Sequence, residues 1–210
     1  RELEKETAES RDKVMAKAKL LSKKRREAGS GIEKELIERL AYLRMPHVRI
    51  QCEFRTKEIP DVTGIDAVQF LFSANKNMSL QPVSQIASGG EISRLMLCIK
   101  AMIAGATSLP TIIFDEIDTG TSGEVADRVG AIMEEMGTRM QVIGITHLPQ
   151  IASKGTAHFL VYKEDRGAIV TTNIKELTPQ ERVQEIARML SGAEITEQAV
   201  ENAKVMLHRK

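Results

Sequence analysis

Thr111-Ile112-Ile113-Phe114-Asp115-Glu116 decides how this chain reads, together with Ser88-Gly89-Gly90-Glu91 ahead of it. A short, continuous apolar run predicts a strand buried on both faces of a parallel sheet. The run ends in two adjacent carboxylates. In open α/β sheets, ligands bind just outside the carboxyl ends of the strands. One carboxylate there can hold Mg²⁺, usually through water. The other can orient or deprotonate an attacking water. Acidic residues also begin many ordinary loops, so the pair alone leaves both readings open.

The neighbours extend the pattern. Met140 to Ile145 is a second buried strand, and it ends in Thr146-His147. If the two strands are sheet neighbours, that turn lies beside Asp115, where a His can contact a γ-phosphate or an attacking water. Asp118-Thr119-Gly120 follows the carboxylates at once, and Thr121-x-x-Glu124 predicts a capping box opening a helix through Met136. Upstream, Ser88 and Glu91 also fit a capping box for a helix over Ile92 to Ala106. Gly89 and Gly90 would then fill its first turn, each at a cost of up to about 1 kcal/mol relative to Ala. Paired glycines there point to something approaching the backbone closely. A helix N-terminus with bare amides and a Ser hydroxyl is a natural anion site.

Residues 1–28 are rich in Lys, Arg and Glu. Leu3, Thr7, Val14, Ala18 and Leu21 form a narrow apolar seam, as in a coiled-coil arm. Lys23-Lys24-Arg25-Arg26 reads as a solvated helix face or as a contact for phosphate. Gly29-Ser30-Gly31 is expected to interrupt the helix, with a second one over Ile32, Leu36, Leu40 and Leu43 that Pro46 ends. His47 to Phe54 alternates as a half-buried strand, and Ala67 to Ser73 should pair with it antiparallel. His158 to Lys163 and Ala168 to Asn173 flank a hairpin turn at Glu164-Asp165-Arg166-Gly167. Helices over 178–190 and 195–208 close the chain. The order argues for an α/β fold with a parallel core and an antiparallel flank, from which the leading helices project.

Composition narrows the function classes. The chain has 210 residues, 42% of them hydrophobic, and a net charge of +1. There is no global field to attract nucleic acid, so any such contact comes from local patches. Cys52 and Cys98 lie far apart and read as reduced and buried, which suits a cytosolic protein. No apolar stretch approaches the roughly 20 residues of a membrane helix, and no secretory signal is visible. Arg1 begins in mid-pattern, so the chain is expected to be a piece of a longer protein.

SGGE, IIFDE, the IDTG turn and GITHLPQIA resemble the signature motif, Walker B, D-loop and switch histidine of the ABC ATPase superfamily. Within it, QIASGGEISRLMLCIK, TIIFDEIDTGTSGEVADRVG and THLPQIAS are most similar to the RecN family of SMC-like bacterial DNA repair proteins. Transporter ATPases fit less well, because they usually place Pro where Ile117 follows Glu116, and they lack a charged helical arm.

The resemblance implies the C-terminal lobe of an ATPase head over residues 46–210, with a coiled-coil stub and neck helices over residues 1–45. It implies ATP and Mg²⁺ as cofactors. Asp115 would position the metal, Glu116 would be the general base, and His147 would contact the γ-phosphate. Ser88, Gly89, Gly90 and Glu91 would close over ATP held by a second head, with Asp118 at that dimer interface. The Walker A loop, GxxxxGK[ST], does not occur in this sequence. The implied partners are an N-terminal lobe of the same protein, a second head and DNA, with no membrane, in the bacterial cytoplasm at the nucleoid. Another SMC-type chromosome or repair ATPase, or a non-hydrolysing DNA-binding or dimerisation module, are the alternatives.

Overall fold

The structure is a computed structural model, and it describes residues 1–86, 89–107, 109–165, 167, 170–192 and 194–208. The chain falls into two compact units, Arg1–Cys98 and Ile99–Lys210.

The first unit is a long helix, α1 (Glu2–Tyr42), against an antiparallel sheet of β1 (Arg49–Asp61), β2 (Gly64–Ser73) and the short β3 (Gln81–Pro82). The expected hairpin forms, with Arg49 opposite Ser73 and Cys52 opposite Phe70. The expected break in the helix does not. α1 runs unbroken through Gly29-Ser30-Gly31. Gly29 is buried, and a Cβ there would stand 3.1 Å from the Phe54 ring. This glycine therefore lets β1 approach the helix rather than ending it.

The buried stripe of α1 is Ala18, Ser22, Gly29, Leu36 and Leu40. It shares Ala18 with the expected seam, of which Leu3, Val14 and Leu21 are exposed. The stripe is partly polar because its partner is polar. Asp66 on β2 is buried, and its carboxylate accepts a 2.7 Å hydrogen bond from Ser22 Oγ. Arg25 and Arg26 approach the same carboxylate at 3.5 and 3.8 Å. Arg26 also covers Phe54 at 4.9 Å. Half of the basic run is thus committed to the fold. At its C-terminus, α1 closes with Met45 N–H on Leu40 C=O and Arg44 N–H on Ala41 C=O, with Arg44 at φ 62°. That double closure satisfies the last carbonyls before Pro46. Both cysteines are free and buried. Burial pushes the Cys52 thiol up to about 11 and the Cys98 thiol to about 12.

α2 (Gly89–Ala106) runs across the division into the second unit. There β4 (Thr111–Asp115) and β5 (Gln141–Ile145) pair in parallel, joined by α3 (Gly123–Gly137). Among the described residues parallel pairing is confined to these two strands. One face of the pair carries Phe114, which is buried, opposite Gly144. A Cβ on Gly144 would stand 2.6 Å from Met133 Cε, so the glycine admits α3. The other face presents Ile113, Ile143 and Ile145, exposed to 56, 41 and 53%. The predicted box at Thr121 does not cap α3. Ser122 occupies the cap position, and the Thr121 hydroxyl donates to Asp118 C=O at 2.8 Å instead.

α4 (Pro149–Ala152) follows β5, then the antiparallel hairpin of β6 (Phe159–Asp165) and β7 (Val170–Glu176). α5 (Pro179–Ser191) and α6 (Glu197–His208) pack through Ile186, Ala187, Ala199 and Ala203. A capping box that the sequence reading missed opens α5: Thr178 accepts from Glu181 N–H, and Glu181 accepts from Thr178 N–H at 3.0 Å. No described helix is long and apolar enough to cross a membrane.

Candidate nucleotide site at the strand ends

The parallel register places Asp115 directly opposite Ile145. The residues that follow each strand therefore emerge at one edge of the sheet: Glu116 from β4, Thr146 and His147 from β5. Asp115, Glu116 and His147 are all exposed there. Glu116 adopts φ 51°, the left-handed region. Residues other than glycine are uncommon there. Its carbonyl accepts from Thr119 N–H at 3.2 Å and from the Thr119 hydroxyl at 2.9 Å. The chain thus turns sharply as soon as β4 ends, and the Glu116 side chain stays at the edge.

Asp118 stands apart from its neighbours. It is only 1% exposed. Its Oδ2 accepts from the Thr146 hydroxyl, from His147 N–H at 3.2 Å, and lies 3.2 Å from His147 Nδ1. The Thr146 hydroxyl oxygen in turn accepts from Leu148 N–H at 3.0 Å. Asp118 is thus turned into its own unit, where it ties the turn after β4 to the turn after β5. The sequence offers Thr146 only as the residue before a histidine. Its place in this network depends on pairing across the sheet, which no local pattern carries.

Gly89, Gly90 and Glu91 form the first turn of α2 in the first unit. Ser88 lies outside the described residues. A Cβ on Gly89 would meet nothing within 4 Å among the described residues. Packing among the described residues therefore gives no reason for glycine there. The Ser93 hydroxyl donates to Gly89 C=O at 2.9 Å.

Exposed carboxylates at a strand end are hard oxygen donors, and Mg²⁺ is commonly held by one or two of these plus phosphate and water. Asp115 fits that role. No phosphate-cradling loop accompanies it in this sequence.

No family model matches the chain. It is 38% identical over 188 residues to the DNA repair protein RecN of Rickettsia typhi, covering 90% of this chain and 34% of that protein. It is 43% identical over 144 residues to RecN of Bacillus subtilis, covering 69% and 25%, respectively. The chain spans about a third of the length of the Rickettsia protein. Among solved structures, the Smc head domain of Pyrococcus yayanosii with its coiled coil superposes with a TM-score of 0.55 at 18% identity, over 82% of this chain and 29% of that one. A structure from work on ATP-driven dimerization and DNA-stimulated activation of SMC ATPases gives 0.52 at 17% identity, over 80% and 96%. At such identity the likeness is one of fold, that of an ATPase head lobe with its coiled-coil stub. Sequence and fold agree: the chain is similar to RecN proteins over most of its length and belongs to the RecN family.

Proposed function

We propose that this chain is the C-terminal lobe of an ATPase head in a longer RecN-family polypeptide, with residues 1–45 as coiled-coil stub and neck and residues 46–210 as the lobe. The observation that carries the reading is the parallel register of Asp115 with Ile145, which sets Glu116 and His147 at one sheet edge. Glu116 accepts the proton of the attacking water, and His147 meets the γ-phosphate. Asp115 would hold Mg²⁺, which would supply charge neutralisation at the phosphates. Ser88, Gly89, Gly90 and Glu91 serve ATP bound by a second head, since a helix N-terminus with unpaired amides suits an anion.

The remainder of the polypeptide supplies the Walker A loop and covers the face of Ile113, Ile143 and Ile145 that this unit leaves exposed. ATP closes two heads together and hydrolysis releases them, in double-strand break repair on DNA in the bacterial cytoplasm. The 210-residue chain alone is then expected to bind ATP weakly and to hydrolyse none measurably, because the loop that cradles phosphates is missing from it.

Glu116→Gln in the intact polypeptide tests the reading. Gln keeps the shape but cannot take the proton, so turnover should fall by about 10²–10⁴-fold with ATP binding retained. Turnover within a factor of about two of the unsubstituted protein would remove Glu116 from the role of base.

A further inference from the structure

We infer that Asp118 is a positioning residue: it fixes the tautomer of His147 so that Nε2 is the ring nitrogen facing the nucleotide, and it sets the spacing between His147 and Glu116. The inference rests on the proposed role of His147 for its consequence, but not for its geometry. A carboxylate only accepts hydrogen bonds. Asp118 Oδ2 already takes the His147 backbone N–H and the Thr146 hydroxyl. His147 Nδ1 lies 3.2 Å from the same oxygen without forming an aligned hydrogen bond; an Nδ1 lone pair there would face the negative charge of the carboxylate, which favours the ring proton on Nδ1. The hydrogen bond at one imidazole nitrogen decides which form the other presents. The His147 side chain is 76% exposed, so the remaining nitrogen, Nε2, is left to solvent or a ligand.

Thr146 makes the arrangement directional. Its oxygen is occupied by Leu148 N–H, so its own proton goes to Asp118. The second carboxylate oxygen, Oδ1, is buried with no hydrogen-bond partner among the described residues. A buried, half-satisfied carboxylate is costly. Packing alone does not call for one here, and an apolar residue would fill the space more cheaply. The network also joins two segments of different strands. Asp118 lies two residues after Glu116, and its side chain holds the residue that follows Thr146. The turns that carry Glu116 and His147 are thus tied to each other through Asp118.

Two-bond ¹H–¹⁵N spectra of the ¹⁵N-histidine-labelled 210-residue chain at pH 8 test this without nucleotide. His147 should appear as a single Nδ1–H tautomer. In Asp118→Ala it should change to the Nε2–H form or to a mixture. His47, His158 and His208 in the same spectrum should keep their signals, which shows that the variant is folded. Where Asp118→Ala does not fold, Thr146→Val removes one hydrogen bond to Asp118 and leaves the ring alone. The single Nδ1–H form should then persist, because the carboxylate is still there. An Nε2–H form in the unsubstituted chain, or in Thr146→Val, overturns the inference, as does an unchanged tautomer in a folded Asp118→Ala.

Turnover by the intact polypeptide separates this from the proposed function. Asp118→Asn should lower kcat by about 10- to 100-fold, as loss of residues that orient a functional histidine does, with KM for ATP nearly unchanged. If the tautomer changes in Asp118→Ala while kcat in Asp118→Asn does not, the positioning stands and the role given to His147 falls.

Discussion

Ser22 Oγ, in mid-helix on α1, donates a 2.7 Å hydrogen bond to the buried Asp66 carboxylate on β2. Arg25 and Arg26 close on the same group, and Arg25 reaches Thr63 C=O at 2.8 Å. One carboxylate thus fixes where the arm leaves the hairpin. Asp66→Ala should destabilise the first unit by about 1–3 kcal/mol, because the Ser22 hydroxyl is left buried and unpaired. Ser22→Ala should cost less, and the double variant should cost less than the sum of the two. Urea midpoints of the three variants check this, and strict additivity would refute the coupling.

Two glycines one turn-fraction apart on α1 should respond in opposite directions. A Cβ at Gly31 meets nothing within 4 Å, so Gly31→Ala should stabilise by about 0.5–1 kcal/mol through helix propensity and the unfolded chain. Gly29 faces Phe54 at 3.1 Å and Cys52 at 3.4 Å, so Gly29→Leu should destabilise by about 1–3 kcal/mol through overpacking. Thermal melts of both variants decide it, and equal shifts would mean that Gly29 is not a packing glycine.

These same residues show why part of the fold was legible in the sequence and part was not. β4 and β5 announce themselves as short apolar runs, and the edge they share follows from where each run stops. The alternation of Val48, Ile50, Cys52 and Phe54 likewise leads to a hairpin. The continuity of α1 was not legible, because Gly29 answers to Phe54, which is distant in sequence. Ala18, Leu36 and Leu40 of its buried stripe are legible as helical spacing, but Ser22 and Gly29 carry no hydrophobic signal, and Leu3, Val14 and Leu21 point to a neighbouring face. The hold of Asp118 on the turn after β5 is not legible for the same reason. A buried carboxylate looks like an exposed one until its partners, Thr146 and His147, arrive from another strand.

Half-buried His158 makes stability depend on pH. Burial, with the Arg182 guanidinium nearby, holds its imidazole below the usual 6.5, so the unfolded chain takes up a proton more readily than the folded one. Stability from this group is complete above pH 6.5 and is lost as pH falls from there toward the folded value. His158→Gln should flatten that part of the profile. Urea midpoints between about pH 5 and 8 measure it, and an unchanged slope in the variant would assign the dependence to another group.

Glu116 carries the clearest conflict between fold and proposed chemistry. At φ 51° its Cβ crowds the backbone, a cost of about 1–2 kcal/mol for an L-residue. Glycine avoids that cost but adds about 0.4–1 kcal/mol of chain entropy in the unfolded state. Glu116→Gly should therefore leave the 210-residue chain about 0.5–1 kcal/mol more stable, while Glu116→Gln, which keeps the Cβ, should be neutral. In the intact polypeptide both should lose turnover, since neither can accept the proton from water. Stability and activity would then move in opposite directions at one position, as expected where a strained backbone is kept for function. Urea midpoints and ATP turnover of the two variants test this together. If Glu116→Gly is less stable than Glu116→Gln, the left-handed turn is not strained, and the Thr119 hydrogen bonds to Glu116 C=O are enough to account for it.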